Sequence, residues 1–462
     1  MALERIVART REDLARRKRQ TPLATLLADS RPAERSLAAA LRGGRTGFVL
    51  ECKRASPSEG LIRKDYDPAA LAAAYAGYAD AISVLTDEPF FQGSLDHLRA
   101  VRQSVSVPVL CKDFVVEPYQ AFEARAYGAD AVLLMLSVLD EPAYRECAVA
   151  ANEAGLETVT EVHDERELDL ALALGAEVIG INNRDLETLE VDLGTLRRLG
   201  PRVPADRVVL CESGIRTHSD VLELRGLVDG FLVGTSLMRQ PDLSAAVRHL
   251  VYGITKVCGL TRPEDARAAA RAGATHGGLV FAAESPRRVT EEAARVLRDA
   301  APLEWVGVFV NETPDRTAEL ADRLCLAAVQ LHGEETRDDV GLLRRLLGKR
   351  CEIWKAVRVR DVIPRVEDTG ADRLLLDTWQ PDRRGGTGVR FDWSVVQRHP
   401  QRDRLVLSGG LAPDVAGAAE RLGVWGLDVN SGVEESPGVK SPTRLEAFFA
   451  ARRGVGRNHE EP

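Results

Sequence analysis

The chain has 462 residues, of which 45% are hydrophobic and 29% are charged, and its formal net charge is -8. This charge argues against a general nucleic-acid surface, and no apolar run approaches the roughly 20 residues that a membrane-spanning helix needs. Single hydrophobic cores usually stop growing at about 250–300 residues, so the length predicts two domains. We expect a soluble, cytoplasmic protein that binds small molecules and neither nucleic acid nor a membrane.

The first 20 residues mix basic with acidic side chains, which fits an amphipathic helix and is unlike a signal or transit peptide. From Gly47 onward, short β-branched segments alternate with longer helical ones, as in a parallel sheet of βαβ units. A first series of eight strands is predicted at 47–53, 80–85, 107–111, 130–135, 157–162, 177–182, 207–211 and 229–234. A second series of eight is predicted at 254–258, 277–282, 305–310, 327–332, 352–357, 372–377, 404–408 and 424–430.

Two consecutive series of eight strands favour an α/β chain of two tandem (β/α)8 TIM barrels, the first with an extra N-terminal helical segment. An open doubly wound sheet is the main alternative, but it prefers about five or six strands. We place the first barrel at 1–252, the second at 253–452, and a disordered polar tail at 453–462.

Seven cysteines form no CxxC pair, which favours reduced thiols in a reducing compartment. The sequence contains no HExxH, no Walker A loop and no complete GxGxxG after a strand, because Gly386-Thr387-Gly388 lacks the third glycine. We therefore expect no metal and no cofactor.

Polar side chains at the carboxyl ends of strands point into the active site of such a barrel. Glu51 and Lys53 share one strand face and form either a surface ion pair or a proton-transfer pair. We expect partial burial and neighbouring cations to lower the pKa of Lys112, which would make it a usable proton donor. Glu161 should face Lys112 across the barrel mouth, where an acid and a base could serve ring closure and dehydration. A surface lysine and a structural salt bridge are the alternatives.

Four more residues of the first half lie near strand ends. Asn182 and Arg184 are polar residues of the predicted rim. Phe91 and Phe114 could stack an aromatic substrate, although plain packing explains them equally well.

The second half offers a thiol and an acid. Cys258 follows Lys256 and precedes a predicted helix, and both cations and helix N-termini lower the pKa of a thiol. A thiolate could take a proton next to a carbonyl or imine, and Asp377 could supply one if its apolar setting keeps it protonated. Such a pair suits an isomerase that moves hydrogen between neighbouring carbons. A small buried cysteine is the alternative, and His332 is better explained as a positioned hydrogen bonder.

Both halves carry paired glycine-containing motifs near their ends. ESGI is followed by VGTS in the first half, and SGGL by NSGV in the second, each pair about one β/α unit apart. Glycines and hydroxyls after the seventh and eighth strands let backbone N–H groups close on a phosphate. The pairs predict one phosphate ligand in each half, with turn formation as the alternative.

Seven motifs stand in order in the first half: ECKRASPSEGLIR, LTDEPFFQGS, LCKDF, LLMLSVLD, TEV, GINNRDL and ESGI. Eight stand in the second half: KVCGLT, GLVFAAESPRRV, VGVFVNE, AVQLHGEE, LLLD, GGTGVRFDW, SGGL and LDVNSGVE. The first set resembles indole-3-glycerol phosphate synthase and the second resembles phosphoribosylanthranilate isomerase, in the order of the fused enzyme of tryptophan biosynthesis. The resemblance runs from about residue 4 to residue 450.

The resemblance implies two consecutive steps without metal or redox cofactor. The second barrel would convert N-(5-phosphoribosyl)anthranilate to 1-(2-carboxyphenylamino)-1-deoxyribulose 5-phosphate by an Amadori rearrangement. The first barrel would then close the indole ring with loss of carbon dioxide and water. We expect phosphorylated small molecules as ligands and a monomeric protein.

The resemblance also implies roles for particular residues. In the synthase half, Lys112 matches the general acid and Glu161 a second proton-transfer group. The family's supporting network of charges and hydrogen bonds corresponds to Glu51, Lys53 and Asn182. The residues that position its substrate correspond to Arg184 and Glu212. The phosphate-site region falls on Ser56, Ser213, Gly214, Gly234 and Thr235.

In the isomerase half, the resemblance gives the general base to Cys258 and the general acid to Asp377. Arg287 matches the arginine that meets the anionic group of the substrate. Phosphate binding falls on Gly409, Gly410, Ser431 and Gly432.

Two departures from the family pattern are small. Pro89-Phe90 stands where many synthases carry a lysine-tyrosine pair, and Thr235 replaces a more usual serine. Two alternatives for the function also remain: barrels that isomerise other phosphoribosyl intermediates, as in histidine biosynthesis, or one barrel kept as a non-catalytic binding module.

Overall fold

The computed structural model describes residues 2–29, 33–378, 391–454 and 457. These residues form two compact units, one that ends at Val247 and includes Arg457, and one that covers Arg248–Gly454. Most of the predicted tail and most of the motif GGTGVRFDW, with its Gly386-Thr387-Gly388, lie outside the described residues. None of the described helices is long and apolar enough to cross a membrane.

The first unit contains a closed barrel of eight parallel strands in chain order around the ring. We number the barrel strands β1 to β8, with the bounds Gly47–Cys52, Ala81–Leu85, Val109–Lys112, Ala131–Met135, Glu157–Val162, Val178–Asn182, Val208–Glu212 and Gly230–Val233. Strand β1 closes the ring because it pairs with both β2 and β8. All strands are parallel, so their carboxyl ends open on one rim.

The second unit contains another closed parallel barrel in chain order. Its strands β9 to β16 have the bounds Ile254–Val257, His276–Val280, Glu304–Phe309, Ala328–Leu331, Glu352–Val359, Arg373–Thr378, Leu405–Leu407 and Gly426–Val429. Strand β9 pairs with β10 and β16 and so closes this ring. Short antiparallel hairpins follow β1 and β16, at Ala55–Ser56 with Gly60–Leu61 and at Glu434–Ser436 with Val439–Lys440.

Helices surround each barrel, and many of them begin at an Asp, Ser or Thr whose side chain accepts a backbone N–H bond. Before β9 the helices are Ala2–Gln20, Leu23–Asp29, Leu37–Leu41, Pro68–Tyr75, Glu88–Phe91, Leu95–Ser104, Tyr119–Ala126, Glu141–Glu153, Glu165–Ala173, Gly194–Leu199, His218–Leu224, Thr235–Met238 and Leu243–Tyr252. After β9 they are Pro263–Ala272, Glu291–Ala300, Pro314–Leu324, Arg337–Leu347, Val366–Thr369, Ser394–Gln397, Pro413–Glu420 and Pro442–Arg452.

The helix Leu37–Leu41 closes the amino end of the first barrel. Its Leu37 and Leu41 belong to one apolar cluster with Val49, Leu110 and Leu210 of the strands. This floor is apolar and close-packed, which leaves the opposite, carboxyl rim for polar side chains.

The structure confirms two tandem barrels and an extra N-terminal helical segment. Each predicted strand lies within about two residues of its observed bounds, because parallel strands covered on both faces are continuous apolar runs in sequence.

Candidate active sites

Lys112, the last residue of β3, lies at the centre of the first barrel's polar rim. Its Nζ is 3.0 Å from Glu161 Oε2, and it also contacts a carboxylate oxygen of Glu212. Burial alone would lower the pKa of Lys112, but Glu212, Glu161 and Glu51 outweigh it and raise that pKa above its ordinary value. The predicted lowering is therefore wrong, because the groups that surround this ammonium are carboxylates and not cations.

Glu161 on β5 contacts Lys112 directly rather than across an open mouth. Asn182 Nδ2 donates a hydrogen bond to Glu161 Oε1 at 3.1 Å, and His163 Nε2 lies 3.3 Å from the same oxygen. Burial would raise the pKa of Glu161, but Lys112 and His163 outweigh it and hold that pKa below its ordinary value. These contacts therefore keep Glu161 in its carboxylate form.

Glu212, the last residue of β7, shares Lys112 with Glu161. Burial raises the pKa of Glu212 to about 8, and the negative charge of Glu161 acts in the same direction against the opposing effect of Lys112. The two carboxyl groups share one ammonium and titrate as a pair, in which burial and the charge of Glu161 favour the protonated form of Glu212.

Glu51 and Lys53 form an ion pair, with 2.9 Å between Lys53 Nζ and Glu51 Oε1. Glu51 is only 2% exposed, and Ser83 Oγ donates to its other oxygen at 3.3 Å. Cys52 lies on the opposite strand face, where its Sγ approaches Pro68 O. The pair is a buried feature of the rim, which removes the alternative of a surface ion pair.

A cavity of about 360 Å³ opens at this rim. It is lined by all but one of the residues that the sequence assigned to the synthase half: Glu51, Lys53, Phe91, Lys112, Phe114, Glu161, Asn182, Arg184, Glu212, Ser213, Gly214, Gly234 and Thr235. Ser56 instead lines a smaller cavity of about 100 Å³, which shares Lys53, Phe91 and Thr235 with the larger one. The ring centroids of Phe91 and Phe114 are 6.0 Å apart, so the two rings form one aromatic wall.

The ends of β7 and β8 place small residues against this cavity. Ser213 and Gly214 both have positive φ, at 63° and 94°, and Thr235 begins a short helix after Gly234. A Cβ on Gly234 would collide with the carboxylate of Glu51, so glycine lets the two strand ends approach without displacing that side chain. This is the side of the cavity where backbone N–H groups can meet an anion.

Cys258 follows β9 and is 6% exposed. Burial raises the pKa of its thiol above the ordinary value, and the opposing effect of Lys256 is smaller. The predicted lowering is wrong in sign because burial outweighs the nearby cation. The negative charge of Asp428, whose Oδ1 lies 2.9 Å from Lys256 Nζ, acts in the same direction as burial.

Asp377 on β14 and His332 after β12 line a cavity of about 320 Å³. His332 Nε2 lies 3.3 Å from Asp377 Oδ2, and the amide Nε2 of Gln330 donates to His332 Nδ1 at 2.8 Å. An imidazole that accepts at Nδ1 carries its proton on Nε2, so His332 presents a donor to Asp377. His332 thus lies where it can hydrogen-bond Asp377 and orient its carboxyl group.

Arg287 is held by Glu434 in a two-pronged ion pair. Its Nε is 2.9 Å from Oε1 and its Nη2 is 2.6 Å from Oε2 of that carboxylate. Lys440 Nζ also bonds Glu434 Oε1, at 2.7 Å. A Cβ on Gly259 would lie 2.5 Å from Arg287 Cδ, so the glycine after Cys258 makes room for this arginine.

The glycines of the second predicted phosphate region lie after β15 and β16. Gly409 and Gly410 have φ of 77° and 71°, and a Cβ on Gly409 would press on Asp377 and its neighbour Thr378. Ser431 and Gly432 begin a 3₁₀ turn directly after Asn430. These residues follow the strand ends of the same rim that carries Cys258 and Asp377.

Sequence reasoning missed several polar residues that contact the predicted groups: Ser83, His163, Gln330 and Glu434. His163 was detectable, because it is two residues after Glu161 and shares its strand face. Gln330 likewise lies two residues before its partner His332. Ser83 and Glu434 contact residues far away in sequence, for which a single chain carries no local signal.

Two family models match the chain. One described as indole-3-glycerol phosphate synthase matches residues 3–250, and one described as N-(5'phosphoribosyl)anthranilate (PRA) isomerase matches residues 255–451. The chain is 48% identical to the tryptophan biosynthesis protein TrpCF of Yersinia pestis, over 95% of this chain and 92% of that protein. It is 47% identical to the protein of that name from Salmonella typhi, over 98% and 99% of the two chains. The likeness therefore extends over both barrels.

Proposed function

The chain belongs to the family that joins an indole-3-glycerol phosphate synthase to a phosphoribosylanthranilate isomerase, and on that premise we propose how its residues share the work. The protein is a bifunctional enzyme of tryptophan biosynthesis. Its second barrel isomerises N-(5-phosphoribosyl)anthranilate, and its first barrel closes the indole ring with loss of carbon dioxide and water. The observation that supports this division best is the pair of distinct acid–base sets, one on each barrel rim.

In the first barrel, Lys112 is the general acid and Glu161 its proton-accepting partner. Ring closure onto a carbonyl and loss of a hydroxyl both require an oxygen to be protonated. The ammonium of Lys112 lies 3.0 Å from the anionic Glu161, so a proton can be given and taken within one cavity. The charges of Lys112 and Glu161 are held in place by a supporting network of Glu51, Lys53 and Asn182.

Binding residues surround the acid–base set of this barrel. Phe91 and Phe114 face the aromatic ring of the substrate, and Arg184 and Glu212 position it. The phosphate lies against the end of the cavity with the following residues: Ser56, Ser213, Gly214, Gly234 and Thr235. Support comes from the shared cavity walls and the positive φ values at Ser213 and Gly214.

In the second barrel, Cys258 takes the proton from carbon and Asp377 supplies one. Moving hydrogen between neighbouring carbons needs one proton removed and one delivered. The thiol is buried beside a cation, and His332 holds the acid in place. Arg287 meets the anionic group of the substrate, and the phosphate is bound at Gly409, Gly410, Ser431 and Gly432.

We infer that the protein works as a cytoplasmic monomer on phosphorylated small molecules, without metal or cofactor. The cysteines are all unpaired and six of the seven are buried, which suits a reducing compartment. Light scattering of the purified protein tests the monomer, since a mass of twice 50.4 kDa would contradict it.

A coupled assay tests the whole assignment. Purified protein receives N-(5-phosphoribosyl)anthranilate without added metal, and loss of substrate fluorescence and appearance of indoleglycerol phosphate are both followed. Both signals together are expected. Substrate loss without the indole product would leave only the isomerase barrel active, and no change would favour another phosphoribosyl substrate or a non-catalytic barrel.

A further inference from the structure

Lys256 lies inside the second barrel with none of its side chain exposed. Its Nζ is 2.9 Å from Asp428 Oδ1, and Ser408 Oγ donates to Asp428 Oδ2 at 3.3 Å. Burying an ion pair costs several kcal/mol of desolvation per ion, and apolar residues of similar volume often serve stability equally well. A fully buried ion pair beside an active site therefore calls for a role other than stability.

The side chains of Lys256 and Cys258 meet above Gly278 of the neighbouring strand β10. They are two residues apart on one extended segment and so share a face. A Cβ on Gly278 would lie 2.8 Å from Cys258 Sγ and 2.9 Å from Lys256 Cε, so the absent side chain leaves the space that both occupy. The positive charge of Lys256 lowers the pKa of the Cys258 thiol against the larger, opposite effect of burial.

The other charges that face the thiol are Asp428, Lys440 and Arg287. Lys440 and Arg287 are both bound to Glu434, at 2.7 Å and 2.6 Å, so that carboxylate offsets much of their charge. Burial would lower the pKa of Lys256, but Asp428 and Cys258 outweigh it and raise that pKa. Lys256 thus stays charged, and it lowers the pKa of the thiol more than Lys440 does.

We propose that Lys256 is a positioning residue of the isomerase, which stabilises the thiolate of Cys258 while Asp428 holds the ammonium in place and moderates its effect. The inference rests on the proposed role of Cys258 as general base and deepens it. It predicts that the two members of one ion pair act on the thiol in opposite directions.

The test measures the ionisation of Cys258 by the ultraviolet absorbance of its thiolate as a function of pH, with Cys258→Ser subtracted. In Lys256→Met the titration should move upward by at least about one pH unit, which lowers the thiolate fraction and the isomerase rate at neutral pH about tenfold. In Asp428→Asn it should move downward, because an anion that opposes ionisation is gone while the ammonium remains.

Lys355→Met is the matched control. Lys355 is a buried lysine of the same barrel that bonds Glu335 Oε2 at 2.7 Å, and its removal should leave the thiol titration of Cys258 unchanged. The double variant Lys256→Met/Asp428→Asn removes the pair without leaving a buried ion alone, which keeps the test usable if Lys256→Met does not fold. Its titration should lie above that of Asp428→Asn.

Three results would overturn the proposal: an unmoved titration in Lys256→Met, a shift of the same sign in both single variants, or a double variant that titrates no higher than Asp428→Asn. Failure of the underlying role is a separate observation. If Cys258→Ser keeps full isomerase activity, Cys258 is not the base, whatever its titration shows.

Discussion

Each barrel buries a lysine at its active site, and the two lysines are used differently: Lys112 belongs to the acid–base set, whereas Lys256 lies beside it. Lys112 is bound by two carboxylates and keeps 15% of its side chain exposed toward a cavity of about 360 Å³. Lys256 has one carboxylate partner and no exposed surface. A lysine that reaches the cavity can touch substrate, whereas one that is sealed in the barrel acts only through a neighbour. Access to the cavity, more than residue type or ion pairing, separates the two roles.

The two sites also differ in the group whose pKa burial raises, which is a carboxyl group in the first barrel and a thiol in the second. In the first, burial raises the pKa of Glu212 to about 8. In the second, burial raises the pKa of the Cys258 thiol, which must lose its proton before it can act as the base. Desolvation therefore keeps one group neutral in each site, and the neighbouring lysine opposes it in both.

The sharpest way to break this comparison is to remove the lysine that reaches the cavity. Lys112→Ala should lower ring closure toward the upper end of the ~100- to 10,000-fold range for a positioned acid, because it also leaves carboxylates without their cation. The isomerase should stay active, so the intermediate should accumulate. Product analysis by chromatography measures both steps in one sample.

Normal indole output from Lys112→Ala would remove Lys112 from its role. Lys18→Ala serves as the control, since Lys18 is an exposed lysine of the same unit paired with Glu117. It should leave both steps as they are.

The corresponding change in the second barrel should remove the isomerase step and spare the ring-closing step. Cys258→Ala should lower isomerisation ~100- to 10,000-fold and spare ring closure from the pre-made intermediate. Separate assays of the two half-reactions measure this, with the exposed Cys325→Ala as control. Equal loss of both activities would defeat the idea of independent sites.

The raised pKa of Glu212 predicts a smaller effect on the rate of ring closure, and the sign of its pH dependence is clear. A group whose pKa is raised to about 8 is neutral below that pH and loses its proton as the pH rises through it. If ring closure uses the neutral carboxyl, its rate should fall on the alkaline side near pH 8. Glu212→Gln should lower the rate about 10- to 100-fold and remove this fall, as pH profiles of kcat/KM would show. An unchanged alkaline limb in Glu212→Gln would contradict the assignment of this fall to Glu212.

Strand positions and rim residues were predictable from sequence because both follow from local patterns. Glu51 and Lys53 end an apolar run two residues apart, which fixes their strand and their shared face. The signs of the pKa shifts were not predictable, because they depend on partners that local patterns do not show. Lys112 was judged by its sequence neighbours, but its strongest partner, Glu212, is 100 residues away in the chain.

The pKa of the Cys258 thiol was also mispredicted, because the sequence shows the nearby cation but not its distant partner or the burial of the thiol. Lys256 was visible two residues earlier, but Asp428, which binds it, lies 172 residues along the chain. Burial was also invisible, since a cysteine after a short apolar strand can face the cavity or the core. Sequence thus located the groups, whereas their charge states depend on contacts made only by the closed barrel.

The smallest expected effect concerns His163, which lies between Glu161 and Glu167. Its Nε2 is 3.3 Å from Glu161 Oε1 and its Nδ1 is 3.1 Å from Glu167 Oε2. Burial would lower the pKa of His163, but these carboxylates raise it to about 10, so the ring is charged across the neutral range. His163→Asn removes a cation that keeps Glu161 ionised, and the acid limb of ring closure should move up by up to about one pH unit.

Glu167→Gln separates this charge effect from simple loosening of the strand end. Glu167 accepts the backbone N–H of His163 at 2.8 Å, so its loss disturbs the same segment but leaves the imidazolium beside Glu161. The acid limb of this variant should stay where it is in the unmodified protein. If both variants move the limb equally, His163 orders the strand end rather than setting the charge of Glu161, and the first barrel then depends on Lys112 and the hydrogen bond from Asn182 to keep its base ionised.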